Sequence, residues 1–95
     1  MSERDQYVEK AKAKIDEWNA EIGKMMEKVD AAQADAKVRY QKQLDEARRQ
    51  RDLAEARLKE MREAGESAWS DMKSNFDKAW DDMTKAFESA ASRFR

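Results

Sequence analysis

An all-α fold is what this sequence predicts, and three observations carry the expectation. Ala, Glu, Lys, Leu and Arg supply 50 of the 95 residues and proline is absent, which is the composition of long helices and coiled coils. From Val8 onward the apolar residues recur at steps of three and four, the spacing of one helix face. The last third of the chain contains an eleven-residue repeat. Eleven residues make about three helical turns, so each column of the repeat returns to nearly the same side.

Composition limits the rest. Ninety-five residues allow one domain or one extended element. Ile, Leu, Val and Phe total only 11 residues while 43% of the chain is charged, so a conventional globular core is hard to build. Disorder is the competing expectation for so polar a chain. The net charge is only -1 and the apolar residues are periodic, which favours ordered helix. Cysteine and histidine are both absent. That excludes disulfides, thiolate and imidazole metal sites, Ser-His and Cys-His nucleophile systems and a histidine pH switch. The charged start, Met1-Ser2-Glu3-Arg4-Asp5-Gln6, leads into no apolar segment, so a cytoplasmic protein without a secretory leader is expected. No apolar run approaches the roughly 20 residues of a transmembrane helix.

The first element is a long coiled-coil helix within residues 1–64, running from about Asp5 to Ala64. Val8, Ala11, Ile15, Trp18, Ile22, Met25, Val29 and Ala32 form a heptad seam. Steps of four through Ala36, Tyr40 and Leu44 then make a stutter. Residues 30–36 contain mostly good helix formers and no breaker, so the helix is expected to continue. The seam resumes as Leu44, Ala47, Arg51, Ala54, Leu58 and Met61. A turn or kink is expected at 65–67, with Gly65 as a helix-ending residue and Ser67 capping the next helix. The second helix, amphipathic with eleven-residue repeats, occupies 68–95. The architecture is therefore a helical hairpin or an oligomeric coiled-coil bundle, with a three-helix bundle turning again near residues 30–36 as the alternative.

The repeat sets Ala68-Trp69-Ser70-Asp71-Met72 over Ala79-Trp80-Asp81-Asp82-Met83, with Phe76 over Phe87 and a truncated third copy ending at Phe94. On a helix the Ala, Met, Phe and Trp columns fall within a stripe roughly 100° wide. Such a stripe has to be covered, by protein or by lipid. The candidate contact residues are Ile15, Trp18, Ile22, Met25 and Val29 on the first seam, with Trp69, Met72, Phe76, Trp80, Met83, Phe87 and Phe94 on the stripe. Asp71 and Asp82 flank the stripe and the segment is net -1, which favours protein packing over an anionic membrane surface. Arg48, Arg49, Arg51, Arg57 and Arg62 are interleaved with Asp45, Glu46, Asp52, Glu55 and Glu60, so their field is largely cancelled and nucleic-acid binding is not expected. No acidic run has EF-hand spacing.

Tyr40-Gln41-Lys42-Gln43-Leu44-Asp45-Glu46, Arg51-Asp52-Leu53-Ala54, the Gly65 break, the paired Ala-Trp repeats and Ala90-Ala91-Ser92-Arg93-Phe94 together resemble a group of short bacterial coiled-coil-domain proteins. The similarity covers roughly residues 5–95 and is most specific in the tail, where Met72 and Met83 stand in place of the usual Leu. It implies a helical bacterial protein and supplies no catalytic residues. More loosely, the tail is similar to the eleven-residue repeats of exchangeable apolipoproteins, which have proline punctuation and more basic flanks.

The expected function is non-enzymatic self-assembly or scaffolding through helix–helix contacts, since an amphipathic hairpin covers little of its own stripe. The expected partner is a second copy or another helical protein. The alternative is a peripheral helix protein that binds lipid or a membrane surface. No catalytic residue, metal, cofactor, small-molecule substrate or nucleic acid is expected.

Overall fold

The structure, a computed structural model, describes residues 3–94, with Glu66 as backbone only. Residues 1, 2 and 95, the ends of the two expected helical segments, lie outside the described residues. The fold is all-α, with three helices among the described residues: α1 (Glu3–Ala31), α2 (Ala34–Glu63) and α3 (Glu66–Ser92). Together they form a bundle of 52 × 19 × 18 Å.

The single helix expected over 1–64 is thus two helices, and the three-helix alternative describes the chain. The division falls at Ala32–Gln33, where Gln33 is extended at φ -73 and ψ 162 and makes no side-chain cap. Nothing local requires a stop there. The physical cause is tertiary: turning back lets the α1 seam bury itself against the rest of the same chain. Each fully buried large apolar side chain contributes about 1.5–3 kcal/mol, and α1 buries Ala11, Ile15, Trp18, Ile22, Met25 and Val29. That outweighs the hydrogen bonds interrupted at the turn. Part of the interruption is repaired, as Ala32 N–H donates to Val29 O at 3.2 Å and Lys37 N–H to Gln33 O at 2.7 Å.

The break near Gly65 is present, with different local chemistry. Gly65 is not a left-handed residue ending α2; it lies at φ -72 and ψ 167, ordinary extended backbone, and serves as the N-cap of α3. A Cβ at this position would have open space around it. Helix α3 starts at Glu66, so Ser67 is inside the helix and not its cap. The link is closed by Ala64 N–H to Glu60 O at 3.0 Å and Trp69 N–H to Gly65 O at 2.8 Å.

Helix α2 runs close against both other helices, whereas α1 and α3 approach each other less closely. Side-chain size explains the difference. The buried face of α2 is Leu44, Ala47, Gln50, Ala54, Leu58 and Met61, and its alanines let neighbouring backbones come near. Between α1 and α3 stand tryptophan and phenylalanine rings. The expected seam position Arg51 is half-buried, and the buried residue is Gln50, whose amide donates to Glu46 Oε1 at 2.8 Å.

Candidate functional site

The α1–α3 seam gathers the expected contact residues. Trp18 of α1 stacks on Phe87 of α3 at 4.5 Å and 7°, and on Trp80 at 5.7 Å and 8°. Nearly parallel rings at these separations add to the area they bury. Ile15, Ile22, Met25 and Val29 continue the α1 side of this core, and Met83, Phe87 and Phe94 continue the other. A second cluster occupies the end of the bundle where α1 and α3 begin. There Trp69 stacks on Phe76 at 5.7 Å and meets Tyr7 edge-on at 5.1 Å. Trp80 packs against both clusters and Met72 against the second. All twelve expected contact residues are therefore buried or half-buried, Met72 and Trp80 being the half-buried ones.

What covers them corrects one premise. A lone amphipathic hairpin would leave the stripe largely bare, but three helices cover it within one chain. Among the described residues the large apolar side chains left exposed are Met26, Val38 and Leu53, scattered over α1 and α2.

Several contributors were not among the expected residues. Tyr7 joins the Trp69 cluster, and Tyr40 stacks on Phe94 at 5.0 Å. Ala47 and Ala54 are completely buried. Tyr40, Ala47 and Ala54 lie on the seam of three- and four-residue steps, and the signal that could have found Tyr7 is the eleven-residue period, which is not confined to the tail. Tyr7, Trp18, Val29 and Tyr40 are eleven apart, as are Ala36, Ala47, Leu58, Trp69, Trp80 and Ala91.

Polar contacts fasten both ends of the seam. At one end Lys73 pairs with Glu3, and the Arg4 guanidinium donates to Ala64 O. At the other, Lys28 Nζ donates to Phe94 O at 2.7 Å. The indole N–H of Trp69 is buried without an acceptor, an unfavourable term held in place by the surrounding rings. Arg49, Arg51 and Arg57 lie within 4 Å of Glu46, Asp52 and Glu60 respectively. Among the described residues no group of three or more acidic side chains is placed to hold a metal ion, and no helix is long and apolar enough to cross a membrane.

Tyr7 gives the seam a pH dependence. Burial, then the hydrogen bond its phenol donates to Asp77, then the charge of that carboxylate, raise its pKa above the ordinary value near 10. The folded state thus keeps a proton that the unfolded state loses above that pH. The contribution is fully present below pH ~10 and declines as pH rises beyond it. Urea denaturation of the wild type and Tyr7→Phe, compared from pH 8 to 11, should show the steeper alkaline loss in the wild type. Equal slopes would mean the phenol is not held this way.

No protein-family model, curated protein or solved structure matches the chain, so any functional reading has to rest on the aromatic seam and the helices that carry it.

Proposed function

We propose that the protein acts without catalysis, as a self-assembling helix-packing scaffold. The observation that carries this reading is that the α1 seam and the α3 stripe are complementary to each other: the rings of one lie flat on the rings of the other. Surfaces that close one chain are equally able to close between two. Charge supports contact between copies, because residues 34–64 are net +2 while residues 1–33 are net -2 and residues 65–95 are net -1. Such complementarity orients encounters more than it strengthens them.

Light scattering across the micromolar range should give a mass above the 11.1 kDa of one chain, rising with concentration. A single species of one chain's mass throughout would defeat the reading. Trp69→Ala with Trp80→Ala should reduce both helicity and assembly.

One observation favours a second reading, lipid binding: α3 concentrates Trp69, Met72, Phe76, Trp80, Met83 and Phe87 along one side. Those residues face the bundle interior, so a membrane surface would first have to release α3. Flotation with phospholipid vesicles, without assembly in their absence, would put this reading ahead.

A further inference from the structure

We propose that two copies assemble by exchanging α1, the Ala32–Gln33 link straightening so that residues 3 to 63 become one continuous helix. This rests on the self-assembly reading and gives it a mode and a partner, a second copy of the same chain.

The link itself is the first ground. Asp30-Ala31-Ala32-Gln33-Ala34-Asp35-Ala36 holds neither glycine nor proline and is composed largely of residues that favour helix. Gln33 makes no side-chain cap, and no described residue has a positive φ. Local sequence therefore asks for helix where the closed chain turns. Straightening would give hydrogen-bond partners to the carbonyls that end α1 and the N–H groups that begin α2. The second link differs, since it contains Gly65, a poor helix former.

Phase is the second ground. A turn sets no relation between the buried faces of the helices on either side of it. Yet Val29 and Tyr40 are eleven residues apart across the link, as are Met25 and Ala36, and the spacing continues to Ala47 and Leu58. In a continuous helix each step of eleven drifts by only about 20°. The buried faces of α1 and α2 would then lie along one side of a single rod about 90 Å long.

Topology is the third. In the closed chain α1 is antiparallel to α2, as the contacts of Arg4 with Ala64 and of Arg51 with Asn19 require. Two straightened chains laid antiparallel bring α1 of each onto α2 of the other with those same contacts, while each α3 stays on its own α2. The rods cross at Ala31, Ala32, Ala34 and Ala36, exposed or half-buried in the closed chain. Small side chains there allow close approach, so the exchange regains the interior of the closed chain and adds a covered crossing. Exchange of an identical element is a low-cost route to a dimer.

The test uses the full chain, which has no cysteine of its own. The Asn19→Cys, Arg51→Cys double variant places one thiol on α1 and one on α2, at side chains 3.2 Å apart. Treated with a short bismaleimide, the closed chain cross-links within itself. The exchanged pair gives a covalent dimer on a denaturing gel, in proportion to the dimer seen by light scattering. Small-angle scattering of that dimer should show a maximum dimension near 90 Å, against 52 Å for the closed chain. Ala34→Pro should shift the equilibrium to the closed chain. Proline suits the first position of α2 and the extended Gln33 before it. Inside a continuous helix it weakens the dimer by on the order of a hundredfold per chain. A dimer that cross-links only within chains overturns the exchange and leaves self-assembly standing. A chain that never dimerises removes both. If Ala34→Pro fails to fold, the cross-link, made in a chain without proline, still decides.

Discussion

Trp18→Ala should bring the bundle close to unfolding at room temperature. Trp18 is 3% exposed and is the one α1 ring stacked on both Trp80 and Phe87. Truncating a buried aromatic costs about 3–5 kcal/mol, through lost transfer energy and the cavity left behind. Domains of this size have roughly 5–15 kcal/mol in total. Because α1 and α3 are held together by these rings more than by close backbone approach, the site has little means of collapsing, and the cost should fall at the upper end. Urea denaturation followed by circular dichroism should show the midpoint displaced by more than half. Trp18→Phe, which keeps a flat ring, should recover part of the loss. Trp80→Ala, at a half-buried position, should cost less than Trp18→Ala. Equal or reversed costs would show that the stack does not carry the seam.

The same rings show what was legible in the sequence. The helical class and the need to cover both apolar stripes followed from periodicity, since a helix with one apolar side has to cover it, and the break near residue 65 followed from the glycine there. The turn at Ala32–Gln33 could not be read as the leading expectation, because no residue there disfavours helix. It exists through what Trp18 and Ile22 gain on reaching α3 and α2, a long-range term absent from any local window. For the same reason the inward-facing positions of the stripes could be read from the sequence, while the side chains they meet within the chain could not. Periodicity says that Trp69 and Trp80 face inward, not whose side chain they meet. Gln50 was missed because polarity placed it on the surface. Inside the bundle its amide is satisfied one turn back, by Glu46.

Ala47→Leu tests the other half of the architecture, the close approach of α2 to both its neighbours. Ala47 and Ala54 are 0% exposed, so additional methyl and methylene groups have no space without displacing a helix. Leucine has nearly the helix propensity of alanine, and it is the more hydrophobic residue. An argument from composition would therefore expect stabilisation. Packing gives the opposite sign: overfilling a dense core costs about 1–3 kcal/mol. Ala56→Leu makes the same chemical change at an exposed position of the same helix and should stay within about 0.5 kcal/mol of the wild type. The difference between the two variants, read from urea midpoints at constant slope, isolates the steric term from propensity and hydrophobicity. A stabilised Ala47→Leu would mean that α2 stands further from its neighbours than the buried alanines require, and that the wide and narrow seams do not divide the bundle as described.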